Sequence, residues 1–566
     1  MPASRPRIRS VVLALVASLW AVAFSPAAAQ ASVYDWPTYH RDNFRDGSDP
    51  FAPTFAGPLF QRWASVNLGQ TIYAEPLQVG NLLIVADTSD TVTALNAGTG
   101  AIVWQQKVGN PVTLTNPPFG CWNVSPLGIL GTPVVDPVSG IVYALAFEQP
   151  ANYYLVGLDL QTGAARFPQV AIAPSGFDPH FQQQRTALTL ANGYVYAGFG
   201  GFDGDCGPYH GWVVGVPASG SGTQLVFRND PSGSGATEAG IWATAGASVD
   251  GSGNLYITSG NEASSSTFKN GNTIFKLSPT LGLIDWWAPS VWASLNSADA
   301  DLGSAGPALV GASNNLVFQI GKSGWGYLLN TALSTPGGHI GSEPFSAKVC
   351  NAANSQTAAN GQVFGGIAYV DPYIYVPCPE GIKALRLAAG PSFTVAWSGP
   401  SFHPGPPIVA GGVVWAVDTN NGTLRGLNAI TGVTRFTVSG LGTMTHFTTP
   451  TAGQGRIYVP TGRRVVAFAQ PRGTPPPPVP QSVAGPRPLV VGVLSPKITN
   501  PALPHEAAGT PAATQRDIFA VMRYIGEHVL AISKLAGIRR PLTPASPSVR
   551  WWGARERQPI YRGVSG

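Results

Sequence analysis

Hydrophobic and polar positions alternate in short runs through most of this chain, and Gly, Asn, Asp and Thr interrupt the runs. The period of two predicts strands and the interruptions predict turns. Residues 73–87 read as strand, Gly80-Asn81 turn and strand; residues 129–147 turn between Asp136 and Gly140; residues 407–418 turn at Gly411-Gly412. A second strand pair follows each of these: Val92-Thr-Ala-Leu-Asn-Ala-Gly-Thr-Gly-Ala-Ile-Val-Trp104, Leu155-Val-Gly-Leu-Asp-Leu-Gln-Thr-Gly-Ala-Ala-Arg-Phe167 and Leu424-Arg-Gly-Leu-Asn-Ala-Ile-Thr-Gly-Val-Thr-Arg-Phe436. Asn or Asp followed by Thr-Gly supplies a turn whose glycine accepts a positive φ, and an aromatic residue opens the return strand.

Weaker copies of the same unit end their third strands near Val216, Leu277, Leu329, Leu385 and Phe468, and with Leu95, Leu158 and Leu427 of the clear copies they make a series of eight. Eight four-stranded units at this spacing predict an all-β fold, an eight-bladed β-propeller spanning residues 32–472. The eighth unit runs into Pro-rich sequence before its fourth strand, whereas Leu59-Phe-Gln-Arg-Trp63 is an aromatic strand with no partner ahead of the first. The N-terminal strand is therefore expected to pair beside residues 465–468 and close the ring, leaving no open edge there.

Composition agrees with this picture. The 566 residues include 68 Gly and 52 Pro, only 11% are charged, and Met numbers 3 against 15 Trp, 17 Tyr and 24 Phe, which disfavours a helical bundle. Arg5, Arg7 and Arg9 precede an apolar run from Val11 to Phe24 and small residues through Ala31, the pattern of a secretory signal peptide over residues 1–31. A secreted or periplasmic, cell-envelope location follows, and with it disulfide formation. The four cysteines can pair in three ways. Cys121 precedes the second blade and Cys206 lies in a loop of the third, while Cys350 and Cys378 flank the sixth, so the expected pairs are Cys121 with Cys206 and Cys350 with Cys378.

The net charge of +5 would suggest nucleic acid, but residues 481–566 alone carry 11 Lys/Arg against 4 Asp/Glu, so the propeller itself is not basic and no nucleic-acid partner is expected. Residues 473–513 read as a Pro-rich linker, residues 514–538 as an amphipathic helix opened by Thr514 and Asp517, and residues 539–566 as a flexible basic tail. Arg539, Arg540, Arg550, Arg555, Arg557 and Arg562 with Trp551-Trp552 could meet an anionic envelope surface, or stay solvated.

The Ala-Leu-Asn-x-x-Thr-Gly-x-x-x-Trp unit resembles that of the pyrroloquinoline-quinone-like (PQQ-like) propeller repeats, of the quinoprotein alcohol dehydrogenase-like superfamily. Asp35-Trp-Pro-Thr-Tyr-His40, Gly131-Thr-Pro-Val-Val-Asp136, Cys206-Gly-Pro-Tyr-His-Gly-Trp212 and Gly240-Ile-Trp242 resemble its secreted bacterial branch. For a dehydrogenase the resemblance implies a planar tricarboxylate cofactor, a calcium ion, an Asp base and apolar walls in the funnel. Two features of such enzymes are missing: a vicinal cysteine pair and an Arg-x-Gly-Asp-Asn stretch.

Residues opening each unit should face the funnel: Glu75, Thr132, Arg185, Trp242, Thr244, Ser304, Gly366, His403 and His446. Glu75 and Asp301 are the candidate catalytic carboxylates; Glu75, Asp299 and Asp301 the candidate calcium ligands; Arg185, Trp242, Thr244 and His446 the candidate cofactor contacts. Against each stands a plainer reading, respectively an entrance carboxylate, a solvated Asp pair in a turn, an internal ion pair and ordinary blade packing. Lys322 in Gly-Lys-Ser-Gly lacks the rest of a phosphate loop. Two functions follow: a monomeric binding or scaffold module taking a protein, small molecule or polysaccharide at its funnel, or a PQQ- and calcium-dependent dehydrogenase of alcohols or sugars. A structural envelope protein held by its tail is a third.

Overall fold

The computed structural model describes residues 32–471 apart from 114–120, 122, 231–237 and 334–337. The signal peptide, linker, C-terminal helix and basic tail expected from the sequence lie outside the described residues. Eight sheets follow one another in chain order, each built on four strands, with an extra strand on three of them. The third strands are Thr91–Asn96, Asn152–Asp159, Trp212–Pro217, Ile274–Leu277, Trp325–Asn330, Gly381–Leu387, Thr423–Asn428 and Arg464–Ala469, one in each expected unit. Phe60–Ala64 pairs antiparallel with Arg464–Ala469, Gln61 opposite Phe468 and Trp63 opposite Ala467, so the ring closes as the sequence predicts. No described helix is long and apolar enough to cross a membrane.

The repeat also explains how neighbouring blades hold together. In the turns, Asn96, Asp159 and Asn428 accept the backbone N–H groups two and three residues further on through one side-chain oxygen, which fixes the bend. The next carbonyl is then free to receive the indole N–H of the preceding blade. Trp63 donates to Ala97 at 3.2 Å, Trp104 to Leu160 at 3.0 Å and Trp397 to Ala429 at 3.1 Å. Gly100, Gly163 and Gly432 lie under those indoles at φ 75°, 72° and 71°, and a Cβ there would come within 2.6 Å of the ring. Only glycine meets both demands.

Second-strand tyrosines make the same reach. Tyr143, Tyr196, Tyr256, Tyr375 and Tyr458 donate to Ala218, Pro279, Thr331, Ala429 and Ala97 of the following blade. The apolar clusters accordingly lie between blades, as where Leu309 and Val317 pack on Tyr256 and Trp287. Both disulfides form with the expected pairing, Cys121–Cys206 and Cys350–Cys378, and fit an oxidising compartment.

The segment ahead of the closing strand fills one end of the central channel. It passes the innermost strands in order: Trp36 bonds Gln78 of blade 1, Pro37 accepts from Val135 of blade 2, and Asn43 donates to Leu190 of blade 3. Asn43, Phe44, Asp46 and Gly47 then accept backbone N–H groups from Val249, Leu309, Tyr369 and Val409 of blades 4 to 7. Ser48–Asp49 ends the walk as a short parallel strand on Ile408–Ala410. A central channel lined by strand edges would otherwise present unpaired backbone groups, and this plug supplies their partners.

Candidate functional site

Above the plug, where the chain enters the innermost strands, a cavity of about 530 Å³ opens. In an antiparallel blade the first strand begins where the second ends, so two sets of residues meet there. Thr132, Arg185, Trp242, Thr244 and His446 come from the approaches to first strands, and Asp203, Asp205, Asn261 and Lys322 follow second strands. Asp299 and Asp301 line the same cavity from the approach to blade 5.

Asp301 is buried, and its carboxylate is the most organised group in the site. The Asn261 N–H donates to Oδ1 at 2.5 Å, and Lys322 Nζ lies 2.6 Å from Oδ2 and 2.8 Å from Oδ1 of the exposed Asp299. Burial raises the Asp301 carboxyl above the ordinary range, and the Lys322 ammonium offsets only part of the rise. Burial opposes the charge on Lys322, but Asp301 and Asp299 outweigh it and raise its pKa. Gly260 permits this packing: a Cβ would lie 2.4 Å from Asp301 Oδ1 and 2.8 Å from Trp242 Nε1.

Arg185 stands across the cavity with its guanidinium 3.8 Å from the centre of the Phe447 ring. It donates no hydrogen bond to any described residue. Burial lowers it to about 10, and Tyr73 and Asp203 act the other way, so the group is cationic at neutral pH. His446 packs against Phe364 and Phe447; burial, with Arg185 and His403, lowers its pKa and favours the neutral imidazole. Lys322 lies 5.8 Å from the Trp242 ring. Asp203 and Asp205 give the rim an acidic character, Asp205 accepting from Tyr209 at 2.6 Å.

The structure thus brings Arg185, Trp242, Thr244, His446, Asp299 and Asp301 into one cavity. Glu75, Ser304, Gly366 and His403 are not among its lining residues. Glu75 is buried against the plug, where its carboxylate accepts from Trp36 Nε1 at 2.9 Å and the His40 N–H at 2.8 Å; burial raises its pKa well above the ordinary value. The calcium ligands proposed from sequence do not assemble: Glu75 is held elsewhere, Lys322 bridges Asp299 and Asp301, and no described cluster of three or more His, Cys, Asp or Glu is arranged for a metal. Calcium does not fit this donor set. Arg185, which donates to no described residue, is suited to an anionic group, and the carboxylates of Asp203, Asp205, Asp299 and Asp301 line the same cavity.

Residues 47–283 match the family model described as PQQ_2, outer membrane protein assembly factor BamB. Among solved structures the chain is similar to the quinohemoprotein alcohol dehydrogenase ADHIIG from Pseudomonas putida HK5, at 14% identity and a TM-score of 0.56, over 79% of this chain and 82% of that one. The quinohemoprotein alcohol dehydrogenase from Comamonas testosteroni gives 16% and 0.55, over 78% and 82%. A europium-containing methanol dehydrogenase gives 13% and 0.55, over 78% and 98%. No curated protein matches the chain. At these identities the structural likeness shows the fold.

Proposed function

We propose that this PQQ-repeat β-propeller binds a planar organic anion of the pyrroloquinoline-quinone type in its central cavity and, so loaded, oxidises neutral alcohols or sugars. The observation that carries the reading is Arg185: a cationic guanidinium lining the cavity, with no hydrogen-bond acceptor among the described residues. Such a group is suited to bidentate contact with a carboxylate. Trp242 offers a flat aromatic surface. The bound quinone would supply the two-electron acceptor.

The chain's own contribution is orientation and proton transfer. In this reading Asp301, held by the Asn261 N–H and Lys322, takes the proton of a substrate hydroxyl. Purified protein titrated with the quinone should bind it saturably and reduce a dye when an alcohol or sugar is added; absence of both overturns the reading. A scaffold role is the second reading, supported by the assembly-factor description of the family model over residues 47–283. It predicts a protein partner recovered equally by the wild type and by Arg185→Met.

A further inference from the structure

Two excursions of blade 4 meet at Asp301, and a chain of buried amides ties them together behind the cavity. One, residues 259–273, links second strand Leu255–Thr258 to third strand Ile274–Leu277 and brings Asn261 to the rim. The other leaves fourth strand Leu283–Ala288, forms the short helix Trp292–Ser297 and delivers Asp299 and Asp301. Irregular segments of this kind need side chains to complete their backbone hydrogen bonds.

Asn272 sits at the junction. It is fully buried and adopts a left-handed backbone at φ 52°, which Asn tolerates better than most residues. Its Oδ1 accepts the N–H of Leu302, the residue after Asp301, at 2.7 Å, and its Nδ2 donates to Asn296 Oδ1 at 2.7 Å. The same Asn296 oxygen accepts the Glu262 N–H at 3.2 Å, while Asn296 Nδ2 donates to the Ser264 carbonyl at 2.7 Å and to Glu262 Oε1 at 3.3 Å. Glu262 in turn accepts the N–H groups of Lys269 and Gly271. The network therefore reaches the cavity by two routes: Leu302 adjoins Asp301, and Glu262 adjoins Asn261, whose N–H donates to Asp301.

We infer that Asn272 is a positioning residue for Asp301: through Leu302 on one side and through Asn296 and Glu262 on the other, it holds the carboxylate and the Asn261 N–H in register for proton transfer. The catalytic part of this assignment rests on the function proposed above. Neither Asn272 nor Asn296 is among the lining residues of the cavity, so both act on a substrate only through Asp301. The Asn261 N–H and the Lys322 ammonium favour the charged form of Asp301, against burial and Asp299. Glu238 and Tyr209 also lie within its electrostatic reach. Loosening the tie weakens the two supports and moves the carboxyl upward.

The test compares wild type, Asn272→Gly and Asn296→Ala, with Trp397→Phe as a control that loses an interblade hydrogen bond in another blade. Glycine accepts φ 52° while deleting the amide, and alanine suits the helix that carries residue 296 while leaving the Asn272–Leu302 bond in place. Carboxyl carbon-13 NMR of ligand-free protein labelled at aspartate follows Asp301, whose signal is identified by its loss in Asp301→Asn. Asn272→Gly should raise the Asp301 pKa by about one unit, Asn296→Ala by less, and Trp397→Phe not at all. With the quinone and an alcohol, kcat should fall by roughly tenfold in Asn272→Gly while KM and quinone affinity stay those of the wild type. Circular dichroism checks folding, and where Asn272→Gly fails it, Asn296→Ala decides alone. An Asp301 pKa or a kcat unmoved in the folded variants overturns the inference and leaves the proposed function standing. A shifted pKa with no quinone turnover in the wild type overturns the proposed function and leaves the tie to Asp301 standing.

Discussion

Arg45 and Arg185 both stand beside the central channel, one at its plugged end and one in the cavity, and they differ in what they touch. Arg45 donates to the carbonyls of Tyr39, Leu188 and Ala247 and to the hydroxyls of Thr38 and Thr189. Arg185 donates to no described residue and stacks on Phe447. The same side chain is a structural tie where backbone oxygens surround it and, in the function proposed above, a ligand contact where described acceptors are absent. Carboxylates divide likewise: Glu75 receives the N–H groups of the plug, whereas Asp301 keeps a Lys322 partner at the cavity edge.

Exchanging the two arginines for methionine gives the largest contrast. Arg45→Met should destabilise the fold by about 3–5 kcal/mol, because it leaves several buried oxygens without donors. Arg185→Met should change stability by less than about 1 kcal/mol and weaken quinone binding by roughly tenfold or more. Urea denaturation and ligand titration separate the effects. Equal destabilisation by both substitutions would erase the distinction between the two ends.

Lys322→Met sharpens the cavity side. Asp301 must be ionised to accept a proton, and removing the cation 2.6 Å away takes support from its charged form. Its carboxyl, already above the ordinary range through burial, should rise further, so the acid limb of the pH–rate profile moves up by about 1–3 units. At fixed neutral pH the kcat/KM for an alcohol should fall by about tenfold or more. An unmoved acid limb would show that Asp301 is not the base.

How far the sequence reveals these two ends follows from where their information is stored. The cavity residues Arg185, Trp242, Thr244 and His446 are legible because they immediately precede innermost strands whose register the repeat defines. Asn261 and Lys322 were open to the same logic: they follow second strands Leu255–Thr258 and Leu316–Gln319, and antiparallel pairing brings those ends to the same rim. The first strands alone do not point to them. Glu75 also precedes an innermost strand, but the plug folds over it and turns a funnel carboxylate into a structural acceptor. The plug itself has no strand period, and its partners lie from tens to hundreds of residues away, so no local pattern announces it.

The ring carrying both ends depends on many small contacts of one kind. Trp397→Phe retains an aromatic over Gly432 but removes the N–H donated to Ala429, an oxygen that Tyr375 also reaches. A loss of about 1 kcal/mol is expected. Thermal denaturation should detect it without a change in ligand affinity; a large affinity loss would mean that the two ends communicate through blade packing.

A separate effect concerns the plug's dependence on pH. Burial, with the nearby Asp42, pushes the Asp46 carboxyl from its ordinary 3.8 to about 8. Folded chains therefore hold this proton more tightly than unfolded ones. The favourable difference is full below about pH 4 and is lost as pH rises through the interval to about 8. Asp46→Asn keeps an oxygen to accept the Ser48 N–H and cannot ionise. Its melting temperature should match the wild type near pH 4 and exceed it by a few degrees near pH 8, with the cavity's affinity for the quinone unaltered. A variant less stable than wild type at pH 8 would mean that the plug needs this carboxylate charged, and the plugged end would then share the ion-pair character of the Asp301–Lys322 end.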